Sequence, residues 1–221
     1  MNDQKTYWEK KIVDWEESVY KGKNSNTQPF FEKIATPFRK LNKVRTDTTE
    51  KLISLHIKNK IVADLGCGTG VFLEKLLKYK PKQIVGVDIA SPAIRIANKS
   101  FINYVKSKKA RFICEDLRKN TNVLKGIDVV VGIGFIDYFN SAEMLNLFKG
   151  VKGKTFLFSF PDKIFSVREI LQRIYVTMAG CPGCYKYSKI EMDDIIKKSG
   201  IKDWWYYDKE NIRFVTNLPR N

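Results

Sequence analysis

The chain has 221 residues, 43% hydrophobic and 29% charged, which gives enough apolar surface for the core of one globular domain and too much for a disordered tail. Forty basic residues against 24 acidic ones give a formal net charge of +16, which favours a polyanionic partner. The lysines are dispersed along the chain in short groups, such as Lys78/Lys80/Lys82 and Lys106/Lys108/Lys109, so a solvated surface is the expectation. No apolar run nears the roughly 20 residues of a bilayer span, and residues 1–11 hold no apolar stretch ahead of a cleavage site; a soluble, cytoplasmic chain is expected. Cys67, Cys114, Cys181 and Cys184 are then expected as reduced thiols.

Residues 1–57 read as helical. Tyr7, Trp8, Ile12, Trp15 and Val19 recur on one helical face, a polar break covers residues 22–28, and a second periodic run covers 46–55. From residue 60 the texture changes to short β-branched runs alternating with amphipathic stretches, the signature of a βαβ series on a parallel sheet. Strands are expected over 60–65, 83–88, 110–114, 127–132 and 154–159, and helices over about 70–79, 91–106, 141–148, 162–178 and 188–199. Two last runs, 204–207 and 212–216, flank the charged turn Asp208-Lys209-Glu210 and predict an antiparallel hairpin.

The segment Val62-Ala63-Asp64-Leu65-Gly66-Cys67-Gly68-Thr69-Gly70 lies where the first strand hands over to a helix. Three glycines in five residues let the backbone turn sharply and come within contact distance of a ligand. A dinucleotide fingerprint starting at Gly66 needs a third glycine at position 71, which is Val71. That spacing disfavours a nicotinamide cofactor. The second strand ends in Asp88, eighteen residues past Gly70, where a carboxylate can accept both hydroxyls of a ribose.

The Asp-x-Gly-x-Gly-x-Gly spacing from Asp64 to Gly70 resembles the first motif of the class I S-adenosylmethionine-dependent methyltransferases. The resemblance spans about residues 47–160 and makes S-adenosylmethionine the implied cofactor. It implies that Asp64, Gly66, Cys67, Gly68 and Gly70 cup the methionine half, that Asp88 holds the ribose, and that Ile89 lies on the adenine. Phe112-Ile113-Cys114-Glu115-Asp116-Leu117 looks like the family's acidic contact to the adenine amino group, through Asp116, with Leu117 beside it. Gly132 would line the crevice near the methyl group, and Arg45 would meet the cofactor carboxylate. The implied fold is α/β: a Rossmann-like, doubly wound, mostly parallel seven-stranded sheet with helices on both faces, a C-terminal antiparallel hairpin and an N-terminal helical lid. A single domain is expected, with the lid over 1–57, the cofactor core over 58–160, a substrate cap over 161–190, and the last helix and hairpin over 191–221. Tyr20, Phe30 or Phe31 would reach the pocket from the lid.

Methyl transfer needs alignment and water exclusion more than bond-breaking machinery, and a base only where the acceptor must lose a proton. Asp137 and Tyr138 follow the fourth strand directly and are the expected catalytic residues; Asp162, after the fifth, is a further candidate. The only histidine, His56, precedes the first strand at the remote end and reads as structural. Cys181 and Cys184 lack a second ligand pair, so no metal is expected. The Asn/Asp-Pro-Pro-aromatic tetrad of amine-directed DNA enzymes is missing, since its place reads Gly132-Ile133-Gly134-Phe135. Cytosine C5 enzymes carry Pro-Cys, whereas this chain has Cys181-Pro182. The expected acceptor is therefore an O or N atom of a small molecule. An RNA or protein acceptor, or a non-catalytic nucleoside-binding role, stands as the alternative, with nucleic acid as a partner not favoured.

Overall fold

A computed structural model describes residues 4–20, 29–161, 185–210 and 212–220, and of residues 15, 17–20 and 29–39 the backbone alone. The expected helix over 162–178, Asp162 and the Cys181/Cys184 pair lie outside these residues, as do the side chains of Tyr20, Phe30 and Phe31.

Runs of Val, Ile and Phe bounded by turn residues form β1 (Ile61–Leu65), β2 (Gln83–Asp88), β3 (Ala110–Cys114), β4 (Val129–Ile133) and β5 (Thr155–Pro161), all parallel to their neighbours. The hairpin of β6 (Trp205–Lys209) and β7 (Ile212–Thr216) adds antiparallel to β5 and completes a seven-stranded sheet in the order β3-β2-β1-β4-β5-β7-β6. The order of strands reverses direction between β1 and β4. In open α/β sheets a ligand crevice opens at such a point, beyond the carboxyl ends of the strands.

Alternation along each strand sends neighbouring side chains to opposite faces. Ala63, Leu65, Val130, Phe156 and Phe158 pack on one side with Leu147, Phe148, Ile195 and Ile196, which come from α6 (Ser141–Val151) and α7 (Lys189–Lys198). Val62, Val129, Val131 and Leu157 face the other side with Ile53, Phe72 and Leu73, from α2 (Pro29–Ile53) and α3 (Val71–Leu76). The inner strands β1, β2, β4 and β5 are thus buried on both faces, which is why they read as continuous apolar runs. Asn140 and Ser188 start α6 and α7 with capping boxes closed by Glu143 and Glu191.

Three helices differ from the sequence reading, and the one expected over 70–79 ends as α3 at Leu76 and runs on as a 3-10 turn over Leu77–Tyr79. The stretch 91–106 divides into α4 (Ser91–Ser100) and α5 (Ile102–Lys106), because Phe101 leaves helical geometry at φ −102°, ψ 24° while its ring packs on Phe112, with centroids 5.2 Å apart. The periodic run at 46–55 is only the end of α2, which opens at Pro29, a residue suited to a helix start. The N-terminal segment also forms α1 (Gln4–Tyr20). No helix among the described residues is long and apolar enough to cross a membrane.

Candidate active site

The crevice is floored by the turn after β1. Gly66, Gly68 and Gly70 all have positive φ, at 72°, 53° and 88°, a region that costs other residues. The turn is tied to β2 by the Gly66 N–H, which donates to the Val87 carbonyl at 2.8 Å. Space also requires glycine: a Cβ on Gly66 would come 2.9 Å from the Phe135 ring, and one on Gly68 would run into the Glu16 carboxylate.

Asp88, buried at the end of β2, accepts the Gly68 N–H on Oδ2 at 2.9 Å and the Ala90 N–H on Oδ1 at 2.8 Å. Each oxygen keeps a further acceptor site. Burial pushes its carboxyl above the ordinary range, and the N–H groups of Ala90, Gly68 and Ile89 pull part of the way back. Asp64 is also buried, and burial first, then the Asp88 and Glu16 charges, holds it well above the usual value. The Cys67 thiol is buried, and burial drives it well up, away from thiolate.

At the opposite side of the reversal point, the turn after β4 brings Phe135 to Gly66 and Asp137 into a 3-10 turn over Ile136–Tyr138. Asp137 Oδ2 meets Arg45 Nη2 at 3.4 Å. Among the described residues, buried Arg45 Nε and Asp137 Oδ1 have no hydrogen-bond partner, and neither has Thr48 Oγ1 one turn along α2. Burial raises the Asp137 carboxyl, and Arg45 offsets this in part. Arg45, assigned from sequence to the cofactor carboxylate, therefore stands at the β4 exit. Asn140, and not Asp137, caps the following helix.

Asp116 lies after β3 with its carboxylate gripped by Arg118 through Nε and Nη2, both at 2.8 Å. Burial pushes Asp116 up, but Arg118 more than reverses this and its carboxyl ends below the ordinary value. Leu117 is buried in the core beside Leu124. Gly132 is packed under Phe158 and Phe135. Ile89 is half-buried between Asp88 and Ala90. His56 sits in a 3-10 turn ahead of β1, at the far edge.

Helix α1 lies over the crevice. Helix α1 starts at the β4 exit, where Gln4 Nε2 donates to the Tyr138 carbonyl at 3.1 Å and the Trp8 ring meets the Tyr138 ring edge-on at 5.4 Å. It passes over the start of α4, where Ile12 packs with Ala90 and Ala93. It ends over the glycine turn, where the Thr69 N–H donates to Glu16 at 2.9 and 3.2 Å. Trp8, Ile12 and Glu16 are four residues apart and share one face. The sequence reading found the first two and missed Glu16, because an acidic residue on a helix ordinarily faces water.

An open groove of about 990 Å³ lies elsewhere, lined by Lys189, Trp204 and Tyr206 among others. Asp193, its central acid, is already bound to the Trp204 and Tyr206 donors.

The model of a methyltransferase domain matches residues 62–153. A tRNA U34 carboxymethyltransferase of Campylobacter fetus is 29% identical over 98 residues, 44% of this chain and 33% of that protein. One from Helicobacter pylori is 40% identical over 62 residues, 28% of this chain and 23% of that protein. The chain thus spans a third or less of the length of these relatives. Among solved structures, magnesium protoporphyrin IX methyltransferase from Synechocystis PCC 6803 with bound S-adenosylhomocysteine superposes with a TM-score of 0.69 at 16% identity, covering 97% of this chain and 98% of that one. Sheet order, hairpin, glycine turn and matched segment agree: residues 62–153 match a methyltransferase domain, and the sheet has the fold of a solved methyltransferase that binds S-adenosylhomocysteine.

Proposed function

We propose that the chain moves a methyl group from S-adenosylmethionine to an O or N atom of an acceptor by in-line displacement. The observation that carries this is Asp88, whose two carboxylate oxygens each hold one backbone N–H beside the glycine turn and each keep a lone pair for a ribose hydroxyl. The residues fit such a nucleoside. The turn at Gly66 and Gly68 leaves no room for a side chain, and the ammonium group of the methionine half would offset the buried charge of Asp64, which lies near Asp88 and Glu16. Ile89 would supply apolar contact for the base, Leu117 would support that wall from the core, and Asp116, held by Arg118, would meet its amino group.

When bound, the sulfonium supplies an already electrophilic methyl carbon, so no covalent enzyme intermediate is required. Asp137, with its proton affinity raised by burial, is assigned to take the proton of an O–H or N–H acceptor. Arg45 orients it, Tyr138 flanks it, and α1 excludes water.

Titration of the folded protein with S-adenosylhomocysteine should give one-to-one binding. Asp88→Ala should weaken it by about 1–3 kcal/mol, or roughly 5- to 150-fold. Absence of heat with both the cofactor and its demethylated product removes the proposal. A turnover assay then separates an enzyme from a silent nucleoside binder.

For the acceptor, the first reading remains a small molecule entering beneath Trp8, Phe135 and Tyr138. It is supported by the chain's compactness and by its end-to-end likeness in fold to the porphyrin enzyme. The second reading is RNA. The relatives named for tRNA favour it, although their likeness covers only part of the chain, and so does the position of the basic residues in the fold.

A further inference from the structure

We propose that the edge of the sheet opposite the crevice is a docking surface for an RNA strand. The lysines that are dispersed in sequence converge there. Each parallel strand enters the sheet from this edge, and the residues just before each entry are basic and exposed. Lys58 and Lys60 precede β1, and Lys80 and Lys82 precede β2. The run Lys106, Lys108 and Lys109 precedes β3, while Lys125 and Lys152 continue the row ahead of β4 and β5.

Two further observations set this row apart from an ordinary solvated surface. Among the described residues none of these lysines forms an ion pair, whereas neighbouring Lys78 is taken by Glu50 at 2.6 Å. The acid on this edge beside the row, Asp128, accepts the Ile61 N–H at 2.7 Å. Lys80 and Lys108 also hold left-handed backbone at φ 55° and 57°, where glycine would sit without steric penalty. Charge is thus kept at positions whose backbone prefers another residue. Lysines at helix ends also complement helix dipoles, but that role does not account for Lys58, Lys60 or Lys82.

With strands about 4.8 Å apart, the row from β3 to β5 runs about 19 Å. A stacked strand carries a phosphate about every 3.4 Å, so about five phosphates lie along it. Tyr104, exposed next to the β3 end, offers a ring face on which a base can stack. A lipid surface is the less suited polyanion, because the exposed apolar side chains on this edge, Leu55 before β1 and Ile102 before β3, are separated by the entrance to β2. The surface lies a strand length from the crevice, about 17 Å for five residues, so it anchors and does not react. The inference rests on the RNA reading of the acceptor and not on the transfer chemistry.

The test is fluorescence anisotropy of a labelled 20-nucleotide single-stranded RNA against the full chain over 50–200 mM salt. The logarithm of the affinity should fall against that of salt with a slope of about −3.5, five contacts at about 0.7 each. The variant Lys82→Glu/Lys106→Glu/Lys109→Glu should lose at least ten-fold in affinity and flatten the slope by about 2, with S-adenosylhomocysteine binding unchanged. The control Lys10→Glu/Lys11→Glu/Lys209→Glu, exposed on α1 and at the hairpin end of β6, removes the same charge away from the row. Equal losses in both triples, an unchanged slope, or binding to phosphatidylserine vesicles without binding to RNA would each overturn the proposal. Intact S-adenosylhomocysteine binding alongside any of these leaves the methyltransferase reading standing.

Discussion

Glu16 and Gly68 are coupled by geometry, and the coupling can be measured. Replacing Glu16 by Ala removes a buried carboxylate that accepts the Thr69 N–H; a hydrogen bond to a charged group contributes about 1.5–3 kcal/mol. Gly68→Ala forces a side chain into left-handed backbone, at about 1–2 kcal/mol, and also evicts Glu16 from its seat, bringing the total to about 2.5–5 kcal/mol. In the double variant Glu16 has already gone, so its eviction is not counted twice. The double should therefore cost about 1.5–3 kcal/mol less than the sum of the singles. Urea denaturation of the four proteins at matched slopes gives the cycle, and hydrogen exchange at the Thr69 amide reports the local bond. If α1 instead lifts away as a unit, the double costs no more than Gly68→Ala alone, which is still less than additive. Additivity within about 0.5 kcal/mol would refute the contact between lid and turn.

Asp64, raised well above the ordinary range by burial and by the Asp88 and Glu16 charges, binds its proton more tightly folded than unfolded. Its contribution to stability is full below the unfolded value and is lost as pH rises through the folded one. Asp64→Asn should therefore be more stable than wild type near neutral pH, with the gap closing in acid; parallel urea midpoints from pH 4 to 8 would contradict this. Arg45→Met should destabilise by about 3–5 kcal/mol by leaving Asp137 buried without its counter-ion, and adding Asp137→Asn should recover most of that loss in thermal unfolding.

The inner strands were legible because both faces of each are buried, leaving apolar runs rich in Val, Ile and Phe between turn residues, and the glycine turn because its spacing tolerates few other uses. What stayed hidden was set by long-range geometry. Arg45 and Asp137 are 92 residues apart in sequence, and nothing local to either marks the pair. Asp116 gave no sign that Arg118 would occupy it. The basic edge was invisible for the same reason: its members are consecutive only across the sheet, where parallel strands line up their entrances. Phe101 broke an unbroken helical pattern because its ring found a better place against Phe112.

The double grip of Asp88 on the backbone bears on ligand kinetics. Because Gly68 and Ala90 already fix the carboxylate's rotamer, the ribose of the proposed nucleoside would meet a seat that is preorganised and forfeit little entropy in ordering it. Under the same proposal the slow coordinate of ligand exchange would belong to α1, which packs over the crevice from the β4 exit to the glycine turn. Association and dissociation rates should accordingly respond to changes along Trp8, Ile12 and Glu16 while the equilibrium grip on the ribose stays with β2.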